Sequence, residues 1–220
     1  MYYDLIASLP HLPYFVQANR LPITERQLLQ RLGPLTPDHA RQLKQAQPLV
    51  AWRIDRAMQV SDADLVKGYS QLAAEHFDSH LMDYVSFRME MLTLLWGLRH
   101  KLADLTIPEK SVVMTLSPCA RWMHSHWGQA DYGLAYAHPW LSQSANMISQ
   151  ADAQGLERQL IDLCWNWLSR CAEQNYFRFA DVMAYVFRWD MLRAWLACDA
   201  TQAKVRFTEL VDEVTHVERH

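Results

Sequence analysis

Two arginines and two carboxylates stand where charges are least expected. Phe87-Arg88-Met89-Glu90-Met91-Leu92 returns as Phe187-Arg188-Trp189-Asp190-Met191-Leu192, one hundred positions later. Each copy lies in an apolar run, and an unpaired buried charge costs several kcal/mol. The same-face helical neighbours of Arg88 are Tyr84, Val85, Met91 and Leu92; those of Arg188 are Ala184, Tyr185, Met191 and Leu192. None is a carboxylate. Asp190 reaches Arg193 at i+3, whereas Glu90, two positions after Arg88, points elsewhere. Two readings follow. Either the repeats pack about a pseudo-twofold axis, with Arg88 meeting Asp190 and Arg188 meeting Glu90, or the arginines snorkel to water along apolar faces. Both roles are architectural.

Histidines offer the next chemistry. His124-Ser125-His126 is the densest pair, but i and i+2 diverge on a helix, so both cannot grip one ion there. In an extended segment they share a face, with His138 as a third ligand. No carboxylate or cysteine sits at ligand spacing nearby and H-E-x-x-H is absent, so structural histidines are expected and no metal. Ser117-Pro118-Cys119 lacks the context of a nucleophile, and there is no G-x-S-x-G. Six glycines, scattered singly, build neither G-x-G-x-x-G nor a P-loop. Paired acids such as Asp62 and Asp64, or Glu209 and Asp212, read as caps and solvated faces. No catalytic residue and no cofactor is expected.

The elements that hold these residues read as helices. Around the first copy, Leu81, Tyr84, Arg88, Met91, Leu95, Leu98 and Leu102 recur at steps of three and four, predicting a seam helix over about 80–104. Val182 to Cys198 carries only Arg188, Asp190 and Arg193 as charges, which predicts a buried helix over about 178–199. Thr24, Thr36-Pro37 and Ser61 start helices to about Leu32, Gln47 and His76, with Pro48 opening another to about Met58. Asp152 caps a helix with Leu156, Leu160, Leu163, Trp167 and Cys171 inward; a last one from Thr201 puts Val205, Leu210, Val211 and Val214 inward. Residues 1–23, punctuated by Pro10, Pro13 and Pro22, read as a docked extended segment or short strand.

The expected fold is all-α, a multi-helix bundle with two related helical subdomains and a short extended N-terminal segment. Its parts are residues 1–108, the aromatic-rich 109–150, and 151–220, which together can form one compact domain. The middle part holds Trp122, Trp127, Tyr132, Tyr136 and Trp140. These five are the candidate partner-facing surface, set against the plainer reading that they pack on the helices they join.

At 220 residues with half of them hydrophobic, the chain can bury a substantial core. A net charge of −3 and the lack of a basic cluster exclude a general nucleic-acid binder. Cys119, Cys164, Cys171 and Cys198 form no C-x-x-C, and Cys164 and Cys171 lie about 10 Å apart on a helix, too far for a disulfide. Reduced thiols and a cytosolic protein are the expectation. No signal peptide is evident and no apolar run reaches membrane-spanning length.

Several phrases resemble a known family. The opening Tyr2-Tyr3-Asp4-Leu5-Ile6-Ala7-Ser8-Leu9-Pro10 is similar to the start of a bacterial family of unknown function associated with V-type ATPases. Asp83-Tyr84-Val85-Ser86-Phe87-Arg88, the stretch from Trp127-Gly128 to Pro139-Trp140-Leu141, and Tyr185-Val186-Phe187-Arg188-Trp189-Asp190 match it too. Members of that family look like stand-ins for the C-type subunit of these ATPases, the counterpart of the eukaryotic d-type subunit. Glu90 through Leu94-Leu95 to Arg99-His100-Lys101 echoes a recurring helix of the C-type subunit, and Asp190 to Arg193 echoes its first part. The C-type subunit proper is longer and has three repeats, so this chain resembles a reduced version.

The resemblance implies a non-catalytic part that couples the central stalk to the membrane rotor ring through protein contacts, cytoplasmic and peripheral at the inner membrane. One rival expectation is a helical adaptor or assembly chaperone gripping a partner through residues 117–141. Another is a metal-dependent enzyme using His124, His126 and His138.

Overall fold

The structure, a computed structural model, describes residues 1–52, 61–103 and 116–217; for residue 62 and residues 199–217 it describes the backbone alone. The described residues form helices and no strand. In chain order these are α1 (Tyr3–Ser8), a 3₁₀ turn (Phe15–Gln17), α2 (Glu25–Arg31), α3 (Pro37–Val50) and α4 (Asp62–Ala74). There follow α5 (Ser79–Leu102), α6 (Cys119–Ser125), α7 (Trp140–Ser149), α8 (Ala153–Gln174) and α9 (Phe179–Val217). The all-α expectation holds.

The polar residues at the starts explain where the helices begin. Thr24 Oγ1 accepts the Gln27 N–H while the Gln27 side chain returns to the Thr24 N–H, a reciprocal capping box. Thr36, Ser61, Asp78 and Asp152 each accept a backbone N–H from the first turn of α3, α4, α5 and α8. Asp152 comes so close that a Cβ on Gly155 would lie 2.1 Å from its carboxylate, so a larger residue there would have to displace the capping side chain.

Three sequence expectations need correction. The N-terminal segment is not a strand: Tyr3–Ser8 is a helical turn and a half, stopped by Pro10, and only the stretches around the 3₁₀ turn are extended. Pro48 does not open a helix but sits in the last turn of α3, which ends two residues later; so near the end the ring displaces only one interior bond. The expected continuation to Met58 lies outside the described residues, as does the expected break at Thr106-Ile107-Pro108. Finally, the two helices expected at 178–199 and from Thr201 are one. Asp199-Ala200-Thr201 contains neither Gly nor Pro, so nothing interrupts the ladder. The inward set Val205, Leu210, Val211 and Val214 falls where side chains are not described.

Side chains from both halves enter one continuous core, which runs from Leu5 and Phe15 through Tyr84, Met89 and Leu141 to Leu168, Met183 and Leu192. α8 and α9 form an antiparallel hairpin, turned through Asn175 to Arg178. α5 lies against both, and α6 and α7 pack on α5. The first residues drape over the C-terminal half. Phe15, wholly buried, meets the rings of Trp165 and Trp195. Trp189 Nε1 donates to Ile23 O at 2.9 Å, and the Tyr185 hydroxyl to Pro10 O at 2.9 Å. No helix of the described residues is long and apolar enough to cross a membrane.

Candidate functional site

The repeated phrase falls on α5 and α9, and its charges do different work in the two copies. Arg88 is 6 % exposed. Its guanidinium lies over the Trp52 ring, 4.4 Å from the centroid, and Nη1 donates to Cys164 Sγ at 3.4 Å. Its Nε has no hydrogen-bond partner among the described residues. Asp190, also buried, accepts the Trp52 backbone N–H at 2.8 Å and Arg193 Nη2 at 2.6 Å. Arg193 reaches on to Glu25 at 3.0 Å.

The expected cross-repeat ion pairs do not form. The Asp190 carboxylate is already engaged by Arg193 and Trp52, and Arg88 meets the same tryptophan instead of the acid. Arg188 donates to Ala184 O at 3.2 Å and Ser169 Oγ at 3.3 Å and lies over Trp165. Burial lowers its pKa, with Asp181 opposing from a distance. Glu90 cannot reach Arg188, because a residue two positions from Arg88 leaves α5 on the side away from α9. Of the five expected ion-pair residues, Asp190 and Arg193 pair with each other, and Glu90 pairs elsewhere.

Trp52 is the residue that sequence reasoning missed. Its ring takes Arg88, its backbone N–H takes Asp190, and its indole N–H donates to Glu157 at 3.1 Å. It lies just beyond α3, in a stretch with no periodic pattern to single it out.

Glu90 is drawn toward the segment that follows α5. His138 Nε2 lies 3.2 Å from Glu90 Oε1, and the Ser117 hydroxyl donates to Glu90 Oε2 at 3.3 Å. Cys119, the first residue of α6, completes a group in which one ligand atom each from Glu90, Cys119 and His138 lies within 4.8 Å of the others. The hydrogen bond with His138 holds the Glu90 carboxyl below its ordinary range, while burial and then the nearby Glu90 push the Cys119 thiol up to about 11. These three are the residues among those described that could hold a metal.

The set of His124, His126 and His138 on which the rival metal-enzyme reading rests does not assemble. His124 is exposed on α6, and His126 stacks on Trp122 with ring centroids 4.1 Å apart. His138 alone enters a ligand group, with a carboxylate and a thiol that are distant in sequence.

The five aromatic residues divide. Tyr132 is wholly buried, held at φ +57 beside Gly133, and Trp140 is buried; Trp127 is half-buried against Tyr132. These three pack inward, in line with the plainer of the two readings. Lys101, at the end of α5, fastens this segment by donating to Trp127 O at 2.8 Å and to Gln129 O. Trp122 and Tyr136 remain outside, 47 % and 102 % exposed.

Fold and site together define a helical protein whose two related long helices share a ring-rich core. The chain belongs to the family DUF2764, proteins of unknown function, which matches residues 55–217, well over half of its length. No curated protein and no solved structure matches it.

Proposed function

We propose that this protein is a non-catalytic subunit of a bacterial V-type ATPase, similar to the C-type subunit, that couples the central stalk to the membrane rotor ring through protein contacts. Its place would be cytoplasmic and peripheral at the inner membrane. The observation that carries the reading is the length of α9. Its 39 residues make a rod of about 58 Å, against about 33 Å for the 22 residues of α8. Cys198 lies against Glu157, near the start of α8, so residues 199–217 run on past that helix. A rod rooted in a core and continuing beyond its hairpin partner suits a part that transmits force between neighbours. The DUF2764 match extends through this arm to residue 217. The neighbours are inferred from the likeness of residues 2–10, 83–88 and 185–190 to the ATPase-associated family.

The test is recovery of the full-length tagged chain from native membranes, with partners identified by mass spectrometry. Stalk and ring subunits should accompany it. Leu210→Arg with Val214→Arg, four positions apart on one helical face, should abolish that recovery while the helical circular dichroism stays intact. Recovery of no rotary-ATPase subunit by the wild-type chain would sink the reading.

Exposed Trp122 and Tyr136 favour a second reading, an adaptor or assembly chaperone gripping a partner through residues 117–141. It requires association during assembly only, lost in Trp122→Ala/Tyr136→Ala and absent from the finished complex.

A further inference from the structure

We propose that Glu90, Cys119 and His138 form a binding site for one divalent transition metal, Zn²⁺ by preference, with three protein ligands and a fourth position open to water. The inference is independent of the functional reading above.

The three ligands come from three places that only the fold unites: the middle of α5, the first residue of α6 and the turn before α7. With Zn–N and Zn–O bonds of about 2.0–2.2 Å, tetrahedral ligation sets nitrogen and oxygen about 3.4 Å apart. His138 Nε2 and Glu90 Oε1 stand at 3.2 Å. The pair is at the separation an ion would impose, and the Cys119 sulfur lies within 4.8 Å of a carboxylate oxygen of Glu90 and a ring nitrogen of His138.

The donor set selects the class of metal. A thiol and an imidazole disfavour Ca²⁺ and Mg²⁺, which take oxygen ligands, while sulfur, nitrogen and one carboxylate oxygen suit zinc. Ser117 supplies outer support. Its hydroxyl donates to the second Glu90 oxygen and accepts the Cys119 backbone N–H at 3.2 Å, fixing the carboxylate relative to the residue that carries the sulfur. The geometry is therefore supported from behind on two of its three ligands.

Bound there, the ion clamps α5 to α6 and to the turn that leads into α7. Binding to the folded chain alone raises stability by mass action. The open position gives the clamp a means of taking a fourth donor from a partner.

The experiment uses the full chain without a histidine tag, stripped with chelator and titrated with Co²⁺ and then Zn²⁺. One equivalent of cobalt should give the sulfur-to-cobalt charge-transfer band and the intense visible bands of tetrahedral coordination. Zinc should displace it and raise the melting temperature. Cys119→Ser should abolish the charge-transfer band, His138→Ala should abolish stoichiometric binding, and Ser117→Ala should weaken affinity by about tenfold or more. His124→Ala/His126→Ala should change nothing. The proposal is overturned if the wild-type chain gives no cobalt band, if the band survives Cys119→Ser, or if it disappears with His124 and His126. The wild-type titration decides even where a variant fails to fold.

Discussion

Arg88 and Asp190 meet at Trp52, and the two ends of that contact have unequal energetic weight. Asp190 is a buried carboxylate with both oxygens engaged, so removing it deprives the Trp52 N–H of its acceptor and leaves Arg193 with Glu25 alone as an acid partner. Asp190→Ala should cost about 2–4 kcal/mol in chemical denaturation. Among the described residues Arg88 has no carboxylate partner; its ring contact and sulfur contact offset only part of the desolvation of a guanidinium. Arg88→Met should therefore shift stability by no more than about 1 kcal/mol, and in either direction. A large loss would mean that the guanidinium has an anionic partner. Tyr14 gives a pH signature. Burial, then its hydrogen bond to Asp162, raises its pKa from 10.0 to about 12. A raised folded pKa favours the protonated phenol, so this stability is present below pH 10 and is lost as pH rises through about 12. Tyr14→Phe should flatten that alkaline decline, measured as denaturation midpoint against pH. At this scale the sequence was a partial guide. It marked Glu90 and His138 separately, but their meeting with Cys119 depends on how α6 folds back on α5, which no linear spacing records.

Helices were legible where a polar residue meets an unsatisfied first turn, as at Thr24, Thr36, Ser61 and Asp152. They were misread where the signal was weaker than the context: Pro48 is tolerated in a final turn, and Asp199 to Thr201 lacks a true breaker. Gly97 shows what spacing hides. It lies inside α5, where glycine weakens a helix, yet a Cβ there would stand 2.3 Å from Met123 Sδ and 3.2 Å from the Tyr132 hydroxyl. The glycine allows α6 and the aromatic segment to close on α5. Gly97→Val should therefore destabilise by about 1–3 kcal/mol despite removing a helix-weakening residue. Met123→Ala should cost about 2–5 kcal/mol alone. In a double-mutant cycle the two should fall well short of additive, because the smaller residue makes room for the larger.

Over the whole molecule, the halves expected from the repeat share their core, and the first 23 residues are seated on α8 and α9. Calorimetric unfolding should accordingly show one transition for residues from both halves. Phe15→Ala, at a wholly buried ring between Trp165 and Trp195, should lower its midpoint by about 3–5 kcal/mol of stability and shift tryptophan emission. A second, unaffected transition would show the halves to be independent. The draped segment also sets an order of events during synthesis. Phe15 and Ile23 leave the ribosome well before Trp189 and Trp195, which receive them. At about 5–20 residues per second, those apolar side chains wait on the order of 10–30 s for their place. The draped segment of the nascent chain is thus exposed until α9 emerges, the interval in which a holding chaperone has most to protect.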